Sequence, residues 1–157
     1  MKYLLMLAAL AAPLPAVAQE AQRPVKLFAS AAEVQSLLAE AKKEHKPGDT
    51  YTGKLLVNTS NLPVVVEYRK GYKPERPSLH PTQAELIQVL EGSCTLVLGG
   101  KIIGATADRP GGTSTVGGTS RKISKGDFVF VPVNTPHWYT DVKDFAMLTL
   151  HIPAAAD

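Results

Sequence analysis

The side chains best suited to chemistry are His80 and Glu85, in His80-Pro-Thr-Gln-Ala-Glu85, and His137, in Pro136-His137 some fifty residues further on. Two imidazoles and one carboxylate brought to one point would bind Fe(II), Mn, Zn or Ni rather than a thiolate-seeking metal. A carboxylate opening an apolar strand is costly to bury without a metal or cation beside it, so Glu85 is expected to have a partner. Tyr68, Tyr139 and His151 are the candidate general acids or bases. By strand alternation Tyr68 shares a face with Val64 and Val66, Tyr139 with His137, and His151 with Met147 and Thr149. Each of the three also reads as a packed residue with its polar atom satisfied, and alternation alone does not separate the two roles.

The surrounding residues predict a β scaffold. His80 would close one strand, Pro81 to Ala84 would bend the chain, and Glu85 would open the next strand toward the same interior. Ile87 and Val89, in register with Glu85, would line that interior. Leu86, Gln88 and Leu90 would form an outer face that needs a cover. Gly126-Asp127 makes a turn, Phe128 to Val131 a strand, and Pro132 ends that strand before His137 begins another. Leu55–Val57, Val64–Tyr68, Leu86–Leu90, Cys94–Leu98, Phe128–Val131 and Phe145–Ile152 are short apolar runs separated by Gly, Pro, Asn and Asp. That pattern predicts an all-β antiparallel sandwich or small barrel. The Gly- and Thr-rich segment from 99 to 118 reads as a β-hairpin with its tip around Arg109-Pro-Gly-Gly112. Ser30-Ala-Ala-Glu33 is a capping box, followed by Val34, Leu37, Leu38 and Ala41 at helical spacing. One amphipathic helix is therefore expected, stopped by Pro47 and Gly48.

The segments around His80 and His137 resemble the two signature motifs of the cupin superfamily. The first has the pattern G-x5-H-x-H-x(3,4)-E-x6-G and the second G-x5-P-x-G-x2-H-x3-N. Here Glu85 and Gly92 keep the E-x6-G spacing, and Gly126, Pro132 and His137 keep G-x5-P-x4-H. The resemblance spans about Val64 to Ile152. It implies a conical β-barrel, or jelly roll, with a divalent metal in its mouth held by His80, Glu85 and His137. It also implies a small-molecule substrate or ligand and, from the frequency of cupin dimers, a homodimer. The chain departs from the pattern at Ser78, where the family's first histidine stands, at Asn134 in place of a glycine and at Asp141 in place of an asparagine. One imidazole is thereby lost, and three protein ligands would leave coordination positions open, with Gln83 or a water on Ser78 available to fill one. Such a site suits a metalloenzyme doing Lewis-acid (isomerase or lyase) or oxygenase chemistry. The alternatives are a cupin that captures a small ligand or metal without turnover, or one whose barrel is only structural.

Other features bound these readings. Met1-Lys2, the apolar run Leu4 to Leu10 and Ala16-Val17-Ala18 read as a secretory signal peptide over 1–18. The apolar run is too short to span a membrane. The expected organisation is therefore a signal peptide, an N-terminal extension with one helix over 19–50, and a cupin domain over 51–157, in a periplasmic or secreted protein not held in the membrane after cleavage. The formal net charge of +3 is spread along the chain without interleaved aromatics, which speaks against nucleic-acid binding. Cys94 is the one cysteine, so no internal disulfide forms, and its strand context reads as a buried thiol.

Overall fold

Ser30 starts the first element as predicted. Its Oγ accepts a hydrogen bond from the Glu33 N–H (3.2 Å) and opens α1 (Ala31–Glu44). The Glu33 carboxylate pairs with Lys26. The helix ends at His45, whose N–H donates to the Ala41 carbonyl, just before Pro47 and Gly48. The structure is a computed structural model and describes residues 25–59, 62–71, 76–106 and 111–155. The expected signal peptide at 1–18, and Arg109 and Pro110 at the expected hairpin tip, lie outside the described residues.

Among the described residues, eight strands follow the helix: β1 (Thr52–Thr59), β2 (Leu62–Arg69), β3 (Gln83–Leu98), β4 (Lys101–Ile103), β5 (Ser114–Val116), β6 (Thr119–Ser124), β7 (Phe128–Val131) and β8 (His137–Pro153). The main sheet has the order β1-β2-β8-β3-β6, with β7 added to the first half of β3, and its pairings are antiparallel. β4 and β5 form the separate hairpin expected within 99–118. The expected strands at Leu86–Leu90 and Cys94–Leu98 are one continuous strand. Gly92 bends β3 instead of ending it, taking φ +71° amid shifts of register between Val89 and Thr95. A Cβ at Gly92 would sit 2.2 Å from the Asp144 carbonyl oxygen, so the bend needs a glycine. Opposite it, Asp141 and Asp144 of β8 also adopt positive φ. β6 was not predicted, because Thr119-Ser-Arg-Lys-Ile-Ser124 buries only Ile123 and has no apolar run to announce it.

The bent β3 and β8 carry the sheet around an apolar interior of Ile87, Val89, Leu96, Val131, Phe145 and Met147, with Cys94 packed among them. Ile87 and Val89 line this interior as the alternation predicted. A second cluster lies on the outside of the sheet. There Leu38 and Ala41 of α1 cover Leu56, Val66, Tyr68 and Ala146, with Leu90 at the margin. The helix thus supplies part of the cover expected over the outer face of β3. Phe128 and Phe130 point outward from β7 and stay exposed, at 64 % and 55 %.

Candidate metal centre

Three chain segments meet at one rim of the barrel. Glu85 is the third residue of β3 and faces inward with Ile87 and Val89. His80 lies just before the Pro81-Thr82 turn that leads into β3. His137 opens β8, and its backbone pairs with Ser78 through Ser78 N–H to His137 O (2.7 Å) and His137 N–H to Ser78 O (3.0 Å). That ladder sets His137 beside the His80 loop, and the Asn134 N–H adds a bond to the His80 carbonyl at 2.9 Å. Ser78, standing where the first motif histidine is expected, therefore fixes the site through its backbone.

His80, Glu85 and His137 offer donor atoms that all lie within 4.8 Å of one another. Glu85 Oε2 is 3.0 Å from His137 Nε2 and 3.7 Å from His80 Nε2. Glu85 and His137 are almost fully buried, and His80 is partly exposed at the rim. Despite the close approach, Oε2 has no hydrogen-bond partner among the described residues. A buried carboxylate oxygen left this way costs about 1–3 kcal/mol or more, and a cation in the gap would remove the cost. His137 Nδ1 lies 3.3 Å from the Thr135 carbonyl. With an Nδ1–H turned to that carbonyl, Nε2 would be free to ligate a metal. The donor set thus fits a divalent metal of the nitrogen- and oxygen-binding kind.

His151 belongs to this cluster too. It sits directly across from Glu85 in the β3–β8 ladder, with Nε2 3.7 Å from Glu85 Oε1, and its ring lies 4.5 Å from that of His80. Burial alone would raise the pKa of Glu85. The His137, His151 and His80 imidazoles around it outweigh burial and hold the carboxyl far below its usual range. The Glu85 carboxylate in turn raises the pKa of His151, against a smaller opposing effect of burial.

Tyr139 also reaches the interior. Its ring lies 6.3 Å from that of His137 and 5.8 Å from that of Phe145, and its hydroxyl is buried with no hydrogen-bond partner among the described residues. Burial, and then the nearby Glu85 charge, push this phenol well above its ordinary pKa, so it stays protonated.

Tyr68 is a correction. It does share a face with Val64 and Val66, but that face turns outward beneath α1 and not toward the barrel mouth. Its hydroxyl donates to Asp144 Oδ1 (2.7 Å), and its ring meets His45 edge-on at 5.3 Å. Tyr68 cannot act at this site. The physical reason is that the apolar stripe of α1 claims the apolar side of β2, which leaves the polar side inside.

That inner side holds two residues not anticipated from the sequence. Glu67 and Arg69 form an ion pair at 2.8 Å, largely shielded from solvent. The guanidinium lies 4.8 Å from the Tyr139 ring and 5.0 Å from the Tyr51 ring, and Thr149 Oγ1 donates to Glu67 Oε1 at 3.3 Å. The available signal was the helix itself, since an amphipathic helix needs an apolar strand face to cover. Beside the pair, a cavity of about 450 Å³ is lined by Tyr51, Leu55, Val65, Glu67, Thr149 and His151, so it adjoins the cluster through His151.

No protein-family description matches the chain, and no curated protein matches it in sequence. Solved structures do match in shape. KdgF from a Halomonas species superimposes with a TM-score of 0.50 at 20% identity, over 72% of this chain and 92% of that one. A cupin superfamily protein of Desulfitobacterium hafniense gives 0.50 at 12% identity, over 72% and 86%. HEPD of Streptomyces albus, solved with 2-hydroxyethylphosphonate and Fe(II), gives 0.51 at 14% identity, over 69% of this chain and 22% of that one. These likenesses bear on fold, and the motif pattern around His80, Glu85 and His137 points the same way. The chain has the fold of the cupin superfamily: an all-β barrel with a short N-terminal helix.

Proposed function

We propose that this protein is a metal-dependent cupin enzyme of the exported compartment, acting on a small polar molecule. The observation that carries the reading is Glu85: a buried carboxylate held ionised among imidazoles, with one oxygen that no donor among the described residues satisfies. His80, Glu85 and His137 would hold the ion. A divalent metal in such a set supplies Lewis-acid polarisation of a carbonyl or carboxylate oxygen. Redox-silent isomerase- or lyase-type chemistry fits an exported protein better than an oxygenase that must keep Fe(II) reduced. The neighbouring cavity of about 450 Å³ would seat the substrate between an apolar wall of Leu55 and Val65 and the polar groups of Glu67 and Thr149. Tyr139, a neutral phenol, would donate a hydrogen bond or proton inside the barrel, and His151 would stand at the rim.

The export assignment rests on the residues at 1–18. The exposed Phe128 and Phe130 on the outer face of β7 support the expected homodimer. Gel filtration with light scattering tests this, and Phe130→Glu is expected to shift a dimer toward monomer.

The proposed function is tested by incubating metal-loaded protein with small hydroxy acids, keto acids and sugars and following conversion by proton NMR. Conversion by wild type that is lost in Glu85→Gln supports the enzyme. Saturable binding of one of these compounds without conversion would instead establish a cupin that captures a ligand without turnover.

A further inference from the structure

We propose that His151 is a fourth protein ligand of the metal, supplying from the last strand the imidazole that Ser78 lacks. The inference rests on the metal-binding reading above. Glu85 stands at the centre of the cluster and uses its two oxygens differently. Oε2 faces His80 and His137, while Oε1 faces His151 Nε2 at 3.7 Å. Bond lengths of about 2.0–2.2 Å place neighbouring donors on one ion about 3.0–3.5 Å apart. The observed 3.0 and 3.7 Å separations lie at or close to that range.

The fold imposes the placement of His151. The β3–β8 ladder sets Glu85 opposite His151, and residues paired in this way share one face of the sheet. The same ladder sets Thr149 opposite Ile87 and Met147 opposite Val89, so the whole row points into the barrel. The His80 ring lies between the other two imidazoles, 5.2 Å from His137 and 4.5 Å from His151. His80, Glu85 and His137 already have their donor atoms within 4.8 Å of one another. His151 joins them through the second carboxylate oxygen. It is half-exposed near the end of β8, where turning the ring is cheap. Ser78, by contrast, is held by its backbone pairing to His137 and carries no nitrogen donor.

The test counts nitrogen ligands and measures affinity with the metals themselves. Cu(II)-loaded protein is examined by pulsed electron paramagnetic resonance for the number of bound imidazoles, and Zn(II) affinity is titrated in parallel. Wild type is expected to show three imidazoles. His151→Ala should show two, with Zn(II) still bound but at least ~10-fold more weakly. The double variant Ser78→His/His151→Ala should recover the third imidazole from the motif position. Two imidazoles in wild type, or unchanged count and affinity in His151→Ala, would overturn the proposal while the metal site itself stood. Failure of wild type to bind either metal would overturn the functional reading together with it.

Discussion

Glu85 shows how a single residue can carry a functional argument. Its burial opposes ionisation, the three imidazoles around it favour ionisation, and the imidazoles win. In the metal-free protein this has a pH signature at His151, whose pKa is raised by the Glu85 carboxylate. A raised folded-state value means that the pair stabilises fully below the ordinary imidazole value of about 6.5. That contribution disappears as pH rises through the higher folded value. Thermal melts of metal-free protein from pH 6 to pH 9 are therefore expected to show a falling Tm, with a smaller fall in His151→Ala. Equal slopes would mean that the two groups are not coupled. Tyr139 makes a different prediction, because its hydroxyl is buried without a partner among the described residues. Tyr139→Phe should be no less stable than wild type and up to about 1 kcal/mol more stable by urea unfolding. A large loss would reveal a hydrogen bond that the geometry does not contain. At this scale the sequence was informative where chemistry is written in residue type and spacing, as at His80, Glu85 and His137. It misled at Tyr68 and was silent at Glu67 and Arg69. Alternation states which residues share a face but not which face is inside, and here the inner face of β2 is the polar one.

At the scale of elements, the site depends on two long strands that bend without breaking. β3 pairs with β8 on both sides of Gly92, and this returns His137 at one end of β8, and His151 near the other, to the same carboxylate. Gly92→Ala would place a methyl group 2.2 Å from one backbone carbonyl oxygen at a left-handed φ. It is expected to cost about 2 kcal/mol or more in chemical denaturation and to weaken metal binding at the same time. Retention of both stability and affinity would show that the bend does not set the site. The helix was legible from its cap and its 3.6-residue stripe, and most strands from their apolar runs. The continuity of β3 was not, because a glycine between two apolar runs looks the same whether it ends a strand or bulges it. β6 escaped because five of its six residues are exposed.

For the molecule as a whole, the fold follows from an apolar interior closed by β3 and β8, with a helix laid over the outside of β1 and β2. Such a barrel can host many activities, so the functional account rests on the rim cluster and not on the architecture. A homodimer through the exposed Phe128 and Phe130, and export directed by residues 1–18, are proposals. Both readings stand or fall apart from the central claim, which is that His80, Glu85 and His137 hold a metal. Its most direct test is metal content by mass spectrometry, on protein exported through its own N-terminal segment and purified without chelator, with His137→Ala alongside. Wild type should carry close to one divalent ion per chain, and the still-folded variant almost none. A wild type that stays empty after incubation with Fe(II), Mn(II), Ni(II) and Zn(II) would contradict it.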